Sequence, residues 1–115
     1  MGTRERFDEL ADEALAGLPA WVKDRLDNVE VLIEEDPPPD QPDLLGLYEG
    51  IPLTRRGFGY SGVMPDRITL FRSTIERLSR GSDERLKRLV EETVIHEVAH
   101  YFGISDERLL ELHRD

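Results

Sequence analysis

The feature that most constrains the fold of this chain is a long segment, residues 82–103, whose apolar residues recur every three or four positions. Ser82 is a favoured N-cap residue, and Asp83 and Glu84 place negative charge in the first turn, where it complements the helix dipole. Gly103 suits the left-handed position that ends many helices. The segment is predicted to form one helix that buries a single face. The predicted buried stripe consists of Leu86, Val90, Val94, Ile95, Val98, Tyr101 and Phe102.

The opposite face of this helix carries the sequence His-Glu-Val-Ala-His, in which His96 and His100 are four residues apart. Residues at this spacing lie on one helical face, so both imidazoles can bind a single divalent ion. Glu97 projects about 100° further around a helix of 3.6 residues per turn, which places its carboxylate beside the ion. A base for a metal-activated water would stand there. We therefore predict that His96 and His100 are metal ligands and that Glu97 is the catalytic base. The residues expected to share the histidine face are Leu89, Glu92 and Thr93.

A third metal ligand is needed, because catalytic zinc sites usually have three protein ligands and one open position. Asp106 is the favoured candidate, since it follows the turn predicted at Gly103 and comes six residues after His100. A second interpretation stays open. The sequence Ser-Asp-Glu-Arg-Leu occurs both at residues 82–86 and at residues 105–109, and the first copy is a helix start. Asp106 would then serve only a helix dipole, and water or another donor would complete the metal site.

The rest of the sequence predicts short helices and strands. The expected helices are 4–16, 19–26, 73–78 and 106–114, and a loop is expected at 54–65. Val29–Glu34 is rich in β-branched residues and is followed by three prolines, so it is predicted to be a strand. Residues 44–48 form a second apolar run. Residues 66–72 alternate polar and apolar side chains, which predicts a half-buried strand near a sheet edge. Trp21 and Tyr48 are expected in the core.

Composition bounds the function classes. A chain of 115 residues is predicted to form a single domain, residues 1–115. With 25 acidic and 15 basic residues its net charge is -10, which argues against nucleic acid or an anionic membrane as a partner. Cysteine is absent, so a transition metal must be bound by imidazole and carboxylate. No signal peptide or membrane span is recognisable, and a cytoplasmic location is expected.

From His96 to Asp106 the sequence follows the pattern HExxHxxGxxD, and it resembles the zincin-like metallopeptidases, specifically their small bacterial members with a minimal zincin-like domain. Segments Leu45–Gly50 and Pro65–Leu70 are also similar to that family, so the resemblance covers most of the chain. It implies an α+β fold, in which a small mixed sheet packs against the long helix, with N-terminal helices and a short C-terminal helix. It also implies that His96, His100 and Asp106 bind Zn²⁺, and that a peptide or protein substrate lies extended along an edge strand.

Three functions follow from these observations. The first is a zinc-dependent metallopeptidase, in which Glu97 takes a proton from a zinc-activated water that attacks a peptide bond. The second is a zinc-stabilised, catalytically inactive module of the same fold, which would bind a peptide or protein by strand pairing at residues 66–72. The third is an acidic adaptor in which the motif is coincidental. The ligand set of two imidazoles and one carboxylate suits zinc, and it also suits manganese, iron or cobalt.

Overall fold

A computed structural model of the chain describes residues 3–50 and 65–105. Within these ranges the elements are α1 (Thr3–Ala16), α2 (Ala20–Arg25), β1 (Val29–Glu34), β2 (Gly46–Glu49), β3 (Asp66–Phe71), α3 (Arg72–Ser79) and α4 (Asp83–Tyr101). The predicted α+β architecture with a small mixed sheet is confirmed. The helix predicted at 106–114 lies outside the described residues, as does the loop predicted at 54–65 except for Pro65. No described helix is long and apolar enough to cross a membrane.

The sheet has the strand order β1-β3-β2, with β3 in the centre. Strand β1 pairs in parallel with β3, and β2 pairs antiparallel to it, with Gly46 opposite Leu70. The prediction that residues 66–72 form an edge strand is therefore wrong, and so is the idea that a partner pairs with this strand, because β1 and β2 occupy both of its sides. The edge position was predicted because the segment contains polar residues. Asp66 is buried, and its Oδ2 accepts a hydrogen bond from the Tyr48 hydroxyl at 2.6 Å. Arg67 is the one exposed residue of β3.

Helix α4 packs its predicted stripe against the sheet and α1. Val90 and Val94 are fully buried, and Leu86, Val98 and Tyr101 are buried beside them. The stripe departs from prediction at one position, because Ile95 is 53% exposed. Phe102 is half-buried against the same core.

Both predicted ends of α4 are confirmed. Ser82 Oγ accepts a hydrogen bond from the backbone N–H of Arg85 at 3.2 Å, which caps the first turn. Gly103 has a φ of 86°, and its N–H donates to the carbonyl of His100 at 2.9 Å. A left-handed residue after the last turn is a common way to end a helix, and it turns the chain away directly after the second histidine.

The core lies between α1, the sheet, α3 and α4, and it is completed by Val22 of α2. Its central residues are Phe7, Leu10, Ile68, Leu70, Ile75, Val90 and Val94. Tyr48 is half-buried and packs against this cluster. The prediction that Trp21 belongs to the core is wrong, because its side chain is 62% exposed and its ring lies 6.0 Å from the ring of Phe102 at the surface.

Tyr101 fixes the carboxyl end of α4 to the segment that enters the sheet. Its side chain is fully buried, its hydroxyl donates to the carbonyl of Arg25 at 3.0 Å, and the backbone N–H of Asp27 donates to it at 3.3 Å. The ring also packs edge-on against Tyr48, with centroids 6.1 Å apart. The helical turn that carries His100 is thereby held against both α2 and β2.

An ion pair joins α1 to the start of α4. Arg6 donates from its guanidinium to both carboxylate oxygens of Asp83, at 3.1 and 2.9 Å. This hydrogen-bonded charge pair holds the pKa of the Asp83 carboxyl below its usual value. The bidentate geometry restrains the two helices against each other, although both side chains remain accessible to water.

Replacing Arg6 with Gln is expected to lower the free energy of unfolding at pH 7, because both hydrogen bonds to Asp83 are lost. Since the folded-state pKa of Asp83 is lowered, this stabilisation is complete above the ordinary carboxyl pKa of about 4 and is lost as the pH falls through the lowered value. Urea unfolding at pH 7 and at successively lower pH measures the difference from wild type, with Arg85→Gln as the control. A deficit that is independent of pH would contradict this assignment.

Candidate metal and catalytic site

The two histidines of α4 lie close together on one face of the helix. The Nε2 atoms of His96 and His100 lie 3.1 Å apart, with ring centroids separated by 4.8 Å. Two nitrogen ligands bound at 2.0–2.1 Å to a tetrahedral zinc ion are about 3.3 Å from each other. The same separation lets one imidazole N–H donate to the other ring nitrogen, so the pair can hold this arrangement before an ion binds. The spacing that the sequence predicted is therefore present with both rings turned toward a common point.

Solvent reaches the two rings unequally. His96 is exposed, whereas His100 is half-buried at the last turn of the helix. A metal held between them would be accessible from the His96 side. An accessible position is what a catalytic site needs, since one coordination position must stay open to water or substrate.

Glu97 lies on the side of α4 that faces β2, and only 6% of its surface is exposed. It follows His96 directly but points toward the sheet, as the helical angle of about 100° per residue requires. Burial restricts the side chain to few rotamers, and it strengthens the electrostatic interactions of the carboxylate because the local dielectric constant is low. The predicted base is thus held in a fixed position beside the histidine pair.

Gly46 makes this position possible. A Cβ atom at residue 46 would lie 2.7 Å from Cγ2 of Thr93 and 3.1 Å from Cγ of Glu97. The first distance is shorter than real Cβ contacts and the second is tighter than most, so Thr93 and Glu97 would both have to shift. The absence of a side chain at residue 46 lets α4 approach β2 this closely. The sequence analysis gave Gly46 no role. An isolated glycine within an apolar strand run is the pattern that indicates a close backbone approach.

A cleft of about 500 Å³ opens between the chain entering β2 and the histidine face of α4. Asp43, Leu44, Leu45 and Gly46 form one wall. The α4 residues of the other wall are Leu89, Glu92, Thr93, Ile95, His96 and Glu97. The prediction that Leu89, Glu92 and Thr93 share a face with His96 is confirmed. The volume is within the range of about 300–1,000 Å³ that is typical of ligand sites.

The third metal ligand stays a prediction. Among residues 3–50 and 65–105, no three His, Cys, Asp or Glu side chains form a group that could hold a metal. Asp106, the favoured ligand, lies outside the described residues. The last described residues stay against the end of α4, because Ile104 N–H donates to the carbonyl of Ala99 at 3.0 Å.

Comparison with known proteins gives one family. A family model described as zincin-like metallopeptidase matches residues 26–115. The matched stretch contains the whole sheet, α3 and α4, whereas α1 and α2 precede it. No curated protein matches the chain.

Substituting Gly46→Ala is expected to lower the free energy of unfolding by about 1–3 kcal/mol, the usual cost of overpacking, because the new methyl group meets Thr93 and Glu97. Thr93→Ser removes the methyl group nearest to residue 46 and keeps the hydroxyl, which donates to the carbonyl of Leu89 at 2.7 Å. The double variant should therefore recover part of the loss, which urea unfolding of all four proteins measures as a coupling energy. Purely additive effects would show that this contact does not set the distance between helix and strand.

Proposed function

Since the chain belongs to the zincin-like metallopeptidase family, we propose that it is a zinc-dependent peptidase that hydrolyses peptide bonds of an extended peptide or protein segment. His96, His100 and Asp106 are the proposed metal ligands, and Glu97 is the proposed general base. The observation that carries the proposal is the 3.1 Å separation of the two Nε2 atoms on the helix that also holds the buried Glu97. Family membership supports a peptidase-type function, and the geometry supports His96, His100 and Glu97 as its centre.

The donor set fits zinc in chemistry as well as in spacing. Neutral imidazoles and a carboxylate are common zinc ligands, and the chain has no cysteine that would favour a closed thiolate site. When bound, zinc would lower the pKa of a coordinated water to about 7 and polarise the carbonyl of the substrate. The residues of the chain then have two tasks, which are to hold a proton near the reacting amide and to position the peptide.

Glu97 performs the proton transfer in this proposal. Its carboxylate accepts a proton from the attacking water and later donates a proton to the departing amine, which is the usual contribution of a positioned carboxylate. The close contact of α4 with Gly46 buries Glu97 against β2, and burial restricts the side chain to few rotamers. Proton transfer by a fixed group avoids the entropy cost of positioning that group in each turnover.

The cleft supports a peptide as the substrate. Leu44, Leu45 and Leu89 provide apolar surface along its walls, while His96 and Glu97 supply polar groups at one place. A cleft with mostly apolar walls and a few convergent polar groups is typical of sites that bind and orient an organic substrate. The peptide bond to be cleaved would lie at the histidines, and side chains of the substrate would pack against the apolar walls.

Metal analysis tests the ligands. Protein purified without a histidine tag is expected to bind zinc stoichiometrically. Loss of a residue that only supports a metal ligand usually weakens metal affinity by about 10- to 100-fold. Because His96 and Asp106 are proposed as ligands themselves, His96→Ala and Asp106→Ala are each expected to weaken the affinity by at least about 100-fold. Competition with a chromophoric chelator measures the affinity, and Glu91→Gln on an exposed position of α4 is the matched control. Wild-type affinity in His96→Ala would exclude the proposed metal site. If Asp106→Ala alone keeps the wild-type affinity, Asp106 is not a metal ligand and serves only the dipole of the predicted helix.

Replacing Glu97 with Gln tests the base separately from the metal. The variant is expected to keep its zinc affinity and to lose cleavage by about 100- to 10,000-fold, because a glutamine side chain cannot accept the proton. Digestion of an unstructured peptide library, followed by mass spectrometry, compares Glu97→Gln with the wild type and with Glu84→Gln, which changes an exposed residue in the first turn of α4. Equal cleavage by the wild type and Glu97→Gln would contradict the proposed role. Zinc binding without cleavage by the wild type would favour the inactive binding module.

A further inference from the structure

A second cavity adjoins the proposed catalytic cleft. It has a volume of about 750 Å³ and lies between the α1–α2 corner and α4. We call it the Trp21 groove, and its principal lining residues are Leu18, Trp21, Glu92, Ile95, Phe102 and Ile104. The proposed peptidase chemistry does not use this groove, and α1 and α2 lie outside the stretch that matches the family. One wall of the groove is therefore built by residues that precede the matched stretch, and the other wall by residues of α4 within it.

The floor of the Trp21 groove is apolar and open to solvent. Trp21 is 62% exposed and Ile95 is 53% exposed, and they are two of the three large hydrophobic side chains that are exposed among the described residues. The third, Leu78, is on α3 and does not line the groove. Large apolar side chains gathered at one exposed place, with polar residues around them, are typical of a surface that binds another molecule.

The groove and the catalytic cleft lie side by side along α4. Glu92 and Ile95 line both cavities, and His96 is the next residue after Ile95. A helix with its side chains is about 10–12 Å across. An extended peptide advances at most about 3.3–3.6 Å per residue, so three or four residues reach from the histidines to the groove. One peptide can therefore occupy both places.

Charge indicates which peptide would fit. Among the described residues that line the groove, Glu13, Glu91 and Glu92 are acidic, and Arg88 alone is basic. Asp43 and Glu92 also stand on opposite walls of the catalytic cleft. With a net charge of -10 on the whole chain, a basic peptide would be attracted and an acidic peptide repelled.

We infer that the Trp21 groove is a substrate-binding subsite that takes a large apolar side chain, flanked by basic residues, from the same extended peptide that reaches the histidines. The inference rests on the proposed function, since it assigns the groove to the substrate. Trp21 and Phe102 contact the apolar side chain, and Glu91 and Glu92 attract the flanking basic residues. The subsite selects peptides by a residue three or four positions away from the cleaved bond.

Trp21 reports directly on the groove because it is the chain's single tryptophan. The experiment uses zinc-loaded, full-length Glu97→Gln protein and three decapeptide pools with a fixed central Phe, flanked by Lys, by Ser or by Glu, with the other positions randomised. Trp21 emission and the anisotropy of fluorescein-labelled pools measure binding. Cleavage of the same pools by the wild type is measured in parallel.

The Lys pool is expected to shift Trp21 emission to shorter wavelength and to bind at least about tenfold more tightly than the Glu pool. Trp21→Ala should weaken binding of the Lys pool about tenfold, as is common for a central tryptophan contact. Leu78→Ala, which removes an exposed apolar residue elsewhere, should leave binding unchanged. Equal binding by wild type and Trp21→Ala, or no preference between the Lys and Glu pools, would overturn the inference.

The outcomes separate this subsite from the proposed catalysis. Cleavage of all pools without any dependence on Trp21 would leave the peptidase standing and overturn the subsite. Binding of the Lys pool at Trp21 without cleavage by the wild type would support the subsite and count against turnover. Acrylamide quenching of peptide-free protein tests whether something else occupies the groove. Shielding of Trp21 that is independent of protein concentration would mean that another part of the chain fills the groove, and shielding that grows with concentration would mean that a second copy does. Either result would overturn the inference.

Discussion

The close contact between α4 and β2 at Gly46 is the constraint on which the candidate site depends. Because residue 46 has no side chain, Thr93 and Glu97 reach the backbone of the strand, and the distance between helix and sheet is set there. The contact buries Glu97 against β2, while His96, about 100° away on the same helix, stays exposed. The motif thus has a buried carboxylate at Glu97, an exposed imidazole at His96 and a half-buried imidazole at His100.

Sequence alone predicted the parts that are determined locally. The period of α4, its cap at Ser82 and the reversal at Gly103 depend on neighbouring residues, and the structure has all three. Likewise, the spacing of His96 and His100 is sufficient to place both rings on one face. These features follow from helix geometry, which does not require knowledge of what the helix packs against.

Predictions that depended on distant contacts failed or were incomplete. Residues 66–72 look like an edge strand because they contain polar residues. Asp66 is nevertheless buried, and its carboxylate accepts a hydrogen bond from Tyr48, which comes 18 positions earlier in the chain. Trp21 and Ile95 look like core residues, yet the α1–α2 corner leaves both exposed along one groove. Hydrophobicity alone does not distinguish a core residue from a binding surface. Ile95 lines both the proposed catalytic cleft and the Trp21 groove, whereas Trp21 lines the groove alone.

In the proposed function, two imidazoles of α4 hold a zinc ion that has an accessible position beside Glu97. X-ray absorption at the zinc edge, on zinc-loaded protein purified without a tag, tests it most directly, because imidazole ligands give a distinct multiple-scattering pattern. The account predicts four-coordinate zinc with two imidazole nitrogens at about 2.0–2.1 Å and oxygen donors in the remaining positions. A spectrum with no imidazole contribution, or one that is unchanged when His96 and His100 are both replaced by Ala, would contradict it.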